Sequence, residues 1–233
     1  MLVIGHRGAA GLAHENTLEA LRAGLEAGAD ILEFDVRLTR DGVPILEHDF
    51  HALRTHKSLS IISRHTLKEL RERFKASAVT TLEEVFDEFF GKVLLNVEVK
   101  GKGSGQTAAK LLKKQYIKKE GDWDNVLFAS FHGSELKAIR KVSKHANLSL
   151  LHFDNPFLFI AYQRSLHLAA VGFHRLYVNS FALDIAKRTG LFTYAYTVDR
   201  PRAAVILAQE GIEGVVTNHP DRILKELNRS SIH

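Results

Sequence analysis

Two periods alternate along the chain: short β-like apolar runs, and longer stretches with apolar residues at helical spacing. The β-like runs fall at 2–6, 31–37, 93–100, 126–130, 148–153, 175–179, 192–198 and 213–217. Helical patterns follow at 16–28, 81–90, 106–119, 133–144, 156–169, 181–189, 201–210 and 220–229. Eight strands, each followed by a helix, predict an α/β fold of the TIM (β/α)8 barrel type over an open doubly wound sheet. Local punctuation agrees. Asn16 with Glu19 reads as a capping box opening the first helix, and Gly28 as its end. Pro156, Pro201 and Pro220 sit at helix starts, where a missing N–H costs nothing. One segment breaks the alternation: residues 38–80, between the second and third barrel strands, hold a short apolar run at 44–46 and a short helix around 67–74. It reads as a small insertion above the barrel. With no linker or low-complexity tract, residues 1–233 are expected to form one domain.

Composition narrows the class. At 233 residues the chain can bury a substantial core, and 45% hydrophobic with 25% charged residues is ordinary for a globular protein. No apolar run approaches the roughly 20 residues that span a bilayer. Met1 leads straight into Leu2-Val3-Ile4 without a basic leader or cleavage site, so a cytoplasmic location is expected. The absence of cysteine excludes disulfides and thiolate chemistry. The net charge of +5 raises nucleic acid as a partner. Its densest cluster (Lys110, Lys113, Lys114, Lys118 and Lys119) instead suits a solvated helix face, so an anionic small molecule is expected and no nucleic acid. The stretch 153–165, with Phe157, Leu158, Phe159, Ile160 and Tyr162, is apolar almost all round and favours a homo-oligomer contact over a lipid dock.

Strands of a parallel barrel are covered on both faces, so polar residues within them are informative. In "ILEFDV" Glu33 and Asp35 share one face, about 6.5–7 Å apart, while Phe34 and Val36 take the other. In "LLNVEVK" Asn96, Glu98 and Lys100 oppose Leu95, Val97 and Val99. The first strand ends in His6 and Arg7. Polar residues at the C-terminal ends of barrel strands converge where TIM-barrel active sites lie. Three carboxylates suit one hard divalent cation, Mg²⁺ or Ca²⁺. They and the cation leave one negative charge, which Arg7 and Lys100 reverse, so the site suits a monoanion such as a phosphodiester.

The same residues fall in a series of motifs that resembles the glycerophosphodiester phosphodiesterase family over the whole length. The series is "HRG" (6–8), "ENT" (15–17), "EFDVRLTRDGVPILEHD" (33–49), "TLEEV" (81–85), "VEVK" (97–100), "SF" (130–131), "YTVD" (196–199) and "GVVTNHPD" (214–221). The resemblance implies a TIM barrel in which Glu33, Asp35 and Glu98 hold the cation. It further implies that His6 and His48 exchange protons, and that Arg7 and Lys100 bind phosphate. The reaction implied is cleavage of glycerophosphodiesters to sn-glycerol 3-phosphate and an alcohol, through attack by a glycerol hydroxyl and a cyclic phosphate that water opens. Phe131 and Tyr196 are expected to line the substrate pocket; many members of the family carry Trp at the latter position. The segment after His48 also lacks the family's Gly-rich stretch. Asp49 is a candidate to orient His48, Glu15 a neighbour of the metal or phosphate or an anchor of its own loop, and His219 a rim residue. The alternatives are a lysophospholipase D-type activity on lysophospholipids and a non-catalytic anion-binding barrel.

Overall fold

Alternation along the strands sorts their side chains into an outer layer, packed under helices, and an inner one. In the computed structural model, which describes residues 1–74, 79–152, 155 and 157–230, the strands are β1 (Leu2–Gly5), β2 (Ile31–Leu38), β3 (Pro44–Leu46), β4 (Leu94–Val99), β5 (Val126–Ser130), β6 (Asn147–His152), β7 (Ala170–His174), β8 (Phe192–Tyr196) and β9 (Gly214–Thr217). All but β3 are parallel, in the order β1-β2-β4-β5-β6-β7-β8-β9, and β9 pairs back to β1 to close the barrel. β3 lies antiparallel against the end of β2, with Val36 opposite Leu46.

Helix α1 (Leu18–Glu26) follows β1. Between β3 and β4 come α2 (Leu53–His56), a 3₁₀ turn at Ile62–Arg64, α3 (Leu67–Arg73) and α4 (Leu82–Phe89). The remaining barrel strands are followed in turn by α5 (Ser104–Gln115), α6 (Gly133–Val142), α7 (Leu158–Leu166), α8 (Ser180–Arg188), α9 (Pro201–Gln209) and α10 (Pro220–Ser230). Capping boxes open α3 at Thr66–Glu69 and α4 at Thr81–Glu84.

Val3, Leu32, Phe34, Val36 and Val97 belong to the large outer core with Leu21, Val85 and Phe86 of the helices. Ile4, Ile31, Leu127, Ala129, Leu151 and Val216 form a separate core inside the barrel. Burying each large side chain is worth about 1.5–3 kcal/mol, so the register is firmly set. A one-residue slip of β2 would turn Phe34 inward and Glu33 toward the helices.

Three local expectations are corrected. The seventh strand is Ala170–His174, and 175–179 is a loop in which Leu176 is 72% exposed. The apolar run at 168–173 continues the pattern of α7 without a change of period, which hides the break. The break itself is His167, whose φ of 46° ends the helix at Leu166. Within α7 only Phe159 and Leu166 are buried, while Phe157, just before it, and Ile160 are exposed. Pro156 and Phe153 lie outside the described residues. The third correction concerns Asn16, which does not cap α1. Thr17 does, its Oγ1 accepting from Ala20 N at 3.2 Å.

The lysine cluster lies on the exposed side of α5 and just beyond its end, as a solvated face does. Among the described residues no helix is long and apolar enough to cross a membrane.

Candidate active site

At the carboxyl end of β1 the chain turns sharply through Arg7 (φ 51°) and Gly8 (φ 88°). A Cβ on residue 8 would lie 2.4 Å from the carbonyl carbon of Ala20, so only glycine fits between this turn and α1. The turn aims two amides at β2. Arg7 N–H donates to Glu33 Oε2 at 2.8 Å, and Gly8 N–H to the Glu33 carbonyl at 2.8 Å.

The pairing of β2 with β4 sets Glu33 opposite Asn96 and Asp35 opposite Glu98, all on the inner face above the apolar plug. Oxygens of Glu33, Asp35 and Glu98 come within 4.8 Å of one another. Asp35 is the most tightly held. Its Oδ2 accepts from Asn16 Nδ2 at 3.0 Å and lies 3.1 Å from Arg7 Nε, while Lys100 Nζ sits 3.2 Å from Oδ1. Asn16 Oδ1 in turn accepts the Asp35 amide at 3.1 Å. Lys100 also pairs with Glu98. Burial by itself would raise Asp35, but the charges of Lys100 and Arg7 outweigh it and hold the carboxyl well below the usual range. Glu33 is pushed well above that range by burial, then by Asp35 and Glu98. Burial pushes Glu98 up to about 7, against the pull of Lys100 and with the repulsion of Asp35.

This donor set fits a hard divalent cation. It offers three carboxylate oxygens within coordinating reach, and Glu33 Oε1 is buried without a hydrogen-bond partner among the described residues. The strain of Glu33 and Glu98 in their ionised forms is what a cation relieves.

The two histidines approach from different elements. His6 follows β1 and sets its Nδ1 2.7 Å from Asn218 Oδ1. Burial and then the charge of Arg7 bring its pKa down to about 4. His48 follows β3 and places Nδ1 2.7 Å from Asp49 Oδ1. Burial lowers it, Asp35 raises it, and Lys100 and Arg7 lower it again. Asp49 Oδ2 accepts from Arg54 Nε at 2.8 Å, Arg54 pairs with Glu15, and Glu15 accepts from Arg7 Nη1 at 2.9 Å. A chain of alternating charges thus ties the segment carrying His48 to the β1 turn. Arg37 Nε, donating to the His48 carbonyl at 2.8 Å, fixes it from β2.

Phe131, after β5, and Tyr196, at the end of β8, meet edge to face with centroids 5.8 Å apart. Lys100 Nζ lies 5.7 Å from the Phe131 ring centre, and the Tyr196 hydroxyl donates to the His152 carbonyl at 2.7 Å. Below them is a small cavity of about 30 Å³ lined by His6, Glu33, Asn96, Glu98, Tyr194 and Tyr196 among others. From His6 and Asn218 a broader cleft of about 770 Å³ opens along the loops after β7 and β8, past Leu176 and Ile206.

Every residue singled out in the sequence as catalytic, phosphate-binding, pocket-lining or metal-binding thus lies at the carboxyl end of the barrel. Asp49 does contact His48, and Glu15 anchors Arg7 and Arg54. His219, after β9, packs against Gly11, where a Cβ would meet its ring at 2.1 Å. Sequence reasoning missed Asn16 as the partner of Asp35, Arg54 as the partner of Asp49, and Asn218 behind His6. A signal existed for the first alone: Thr17, next in line, is an equally good cap and leaves Asn16 free for another task.

Comparison with known proteins gives the same picture over the whole chain. The model of the glycerophosphoryl diester phosphodiesterase family matches residues 6–222. A glycerophosphodiester phosphodiesterase of Caldanaerobacter subterraneus subsp. tengcongensis is 29% identical, over 96% of this chain and 96% of its own. The solved glycerophosphodiester phosphodiesterase of Thermotoga maritima is 25% identical with a TM-score of 0.83, covering 97% of each chain. A phosphodiesterase of Oleispira antarctica, solved in complex with the product sn-glycerol-3-phosphate, shares the fold at a TM-score of 0.85 and 24% identity, over 98% of this chain and 97% of that one. The matched span contains every candidate site residue from His6 to Tyr196, and the chain belongs to the glycerophosphoryl diester phosphodiesterase family.

Proposed function

We propose that this protein hydrolyses glycerophosphodiesters to sn-glycerol 3-phosphate and an alcohol, with Glu33, Asp35 and Glu98 holding one divalent cation, Mg²⁺ or Ca²⁺. The observation that carries the reading is the meeting of three carboxylates, Glu33 and Asp35 buried and Glu98 partly so, with two cations, Arg7 and Lys100, and two histidines anchored through Nδ1. A divalent cation bound there supplies positive charge that polarises the phosphoryl oxygens. Arg7 and Lys100, already oriented by Asp35, bring donors to the remaining phosphate oxygens, where charge-assisted bonds are strong and directional. His6 and His48, each held through Nδ1, use Nε2, one to accept the proton of the attacking hydroxyl and the other to supply one to the leaving oxygen. Phe131 and Tyr196 give the glycerol carbons an apolar wall.

The cleft past Leu176 and Ile206 supports a second reading, removal of the head group from lysophospholipids, since it leads from the site past the apolar side chains of Leu176, Val178, Ala203 and Ile206, among which Arg175, Arg200 and Glu210 also stand. One experiment separates the two. A panel of glycerophosphocholine, glycerophosphoethanolamine and the matching lysophospholipids is assayed for glycerol 3-phosphate and for free choline or ethanolamine, with and without chelator. Turnover of the deacylated diesters that chelator abolishes supports the first reading. Head-group release from lysophospholipids alone moves the assignment to the second, and no turnover of either refutes both.

A further inference from the structure

Resting on the reading of His6 as a proton-transfer group, we propose that Asn218 and Asp199 form a positioning pair that fixes His6 in one tautomer. Strand order places the three residues in a row. His6, Asn218 and Asp199 follow β1, β9 and β8, which are neighbours around the barrel, and His6 N–H donates to the Thr217 carbonyl at 2.8 Å. Asp199 is thoroughly tied. Its Oδ1 accepts the Asn218 backbone N–H at 2.8 Å and the Thr217 hydroxyl at 3.1 Å, and its Oδ2 accepts Asn218 Nδ2 at 2.8 Å. A carboxylate accepts only, so the amide of Asn218 turns its NH₂ to Asp199 and its carbonyl oxygen to His6. That oxygen also only accepts. At 2.7 Å it requires a hydrogen on His6 Nδ1, which in the neutral ring leaves the lone pair on Nε2.

The contrast with His48 gives the arrangement its meaning. His48 Nδ1 faces the Asp49 carboxylate directly, an arrangement that stabilises an imidazolium. Asn218 puts a neutral amide between His6 and the carboxylate of Asp199. The charge two bonds away orients the ring without pairing with it. His6 is thereby presented as a neutral imidazole with Nε2 ready to accept a proton. Asn218 and Asp199 need not touch substrate to do this.

The test is a tautomer measurement coupled to kinetics. Histidine-selective ¹⁵N spectra of the cation-loaded full chain should show His6 protonated on Nδ1 and unprotonated on Nε2. The resonance is assigned with His6→Gln. In Asp199→Asn the amide is free to turn over, and a mixture of tautomers should appear. Asn218→Ala should lower kcat on glycerophosphocholine by about 10²-fold with little change in KM. Asn218→Asp keeps the shape but sets a carboxylate beside the ring, and should move the acidic limb of the pH–rate profile upward. That variant and the spectra keep the test sharp if Asn218→Ala folds poorly. An Nε2-protonated His6 in the unmodified protein overturns the proposal. So do Asn218→Ala and Asn218→Asp variants with unchanged rate and pH profile while His6→Ala is inactive. If His6→Ala itself remains active, it is the reading of His6 that fails, whatever its tautomer.

Discussion

Asp35 stands directly opposite Glu98 across the β2–β4 ladder, and the Lys100 ammonium pairs with both. With oxygens of the acidic cluster within 4.8 Å, each ionised pair repels by on the order of 3 kcal/mol at an effective dielectric near 20. One ammonium cannot offset three such acids, since Glu33 and Glu98 remain shifted upward with Lys100 in place. The first consequence concerns the cation and pH.

Glu98, taken alone, contributes stability that is full below its ordinary value of 4.5 and is lost as pH rises through about 7. Glu33 acts in the same direction. A bound cation cancels this loss, so the gain in Tm on adding Mg²⁺ or Ca²⁺ should grow from pH 5 to pH 8. The lowered histidines, whose contribution to stability rises with pH, act in the opposite direction. Proton release on binding, measured by calorimetry in buffers of different ionisation enthalpy, should accompany the gain. A cation effect equal at pH 5 and pH 8 contradicts the site. Glu98→Gln should flatten the dependence.

Asn16 and Thr17 are neighbours with different duties, and their alanine variants should separate. Thr17→Ala removes the cap of α1 and should cost about 1 kcal/mol of stability with turnover nearly intact. Asn16→Ala frees Asp35, a ligand in the proposed site, and should therefore weaken cation binding about 10- to 100-fold. Calorimetric titration of the cation into both variants decides the matter. Equal affinities would return Asn16 to a purely local role.

Lys100 is expected to serve turnover rather than cation affinity. Lys100→Met removes a competitor for Asp35 and Glu98, so the cation should bind at least as tightly as before. Turnover should nonetheless fall by about 10²-fold or more, because the charge proposed to face the phosphate is lost. A variant with normal kcat and weakened cation binding would make Lys100 structural.

His6→Ala and His48→Ala should each lower kcat by about 10²–10⁴, the range for a positioned acid or base. Cation affinity should survive in both. The double variant should be little worse than either single one, because the proposed pair would act as a unit. Near-normal turnover of His48→Ala on every diester tested would require a different proton-transfer group.

The sequence by itself determined the barrel and the acids within it. Strand and helix periods differ, and strands covered on both faces leave no innocent place for Glu33, Asp35 and Glu98. Where the period did not change, at 168–173, the boundary was invisible, because a short apolar run is the same in a buried strand and a buried helix. Only the tertiary structure decided which polar groups support the acids and the histidines. Asn16 reaches Asp35 across 19 positions and Asn218 reaches His6 across 212. No local pattern encodes a partner that far away. Barrel closure joins β9 to β1, and the β2–β4 register sets Asp35 beside Glu98. Each contact follows from the pairing of strands, which alternation along a single strand leaves open.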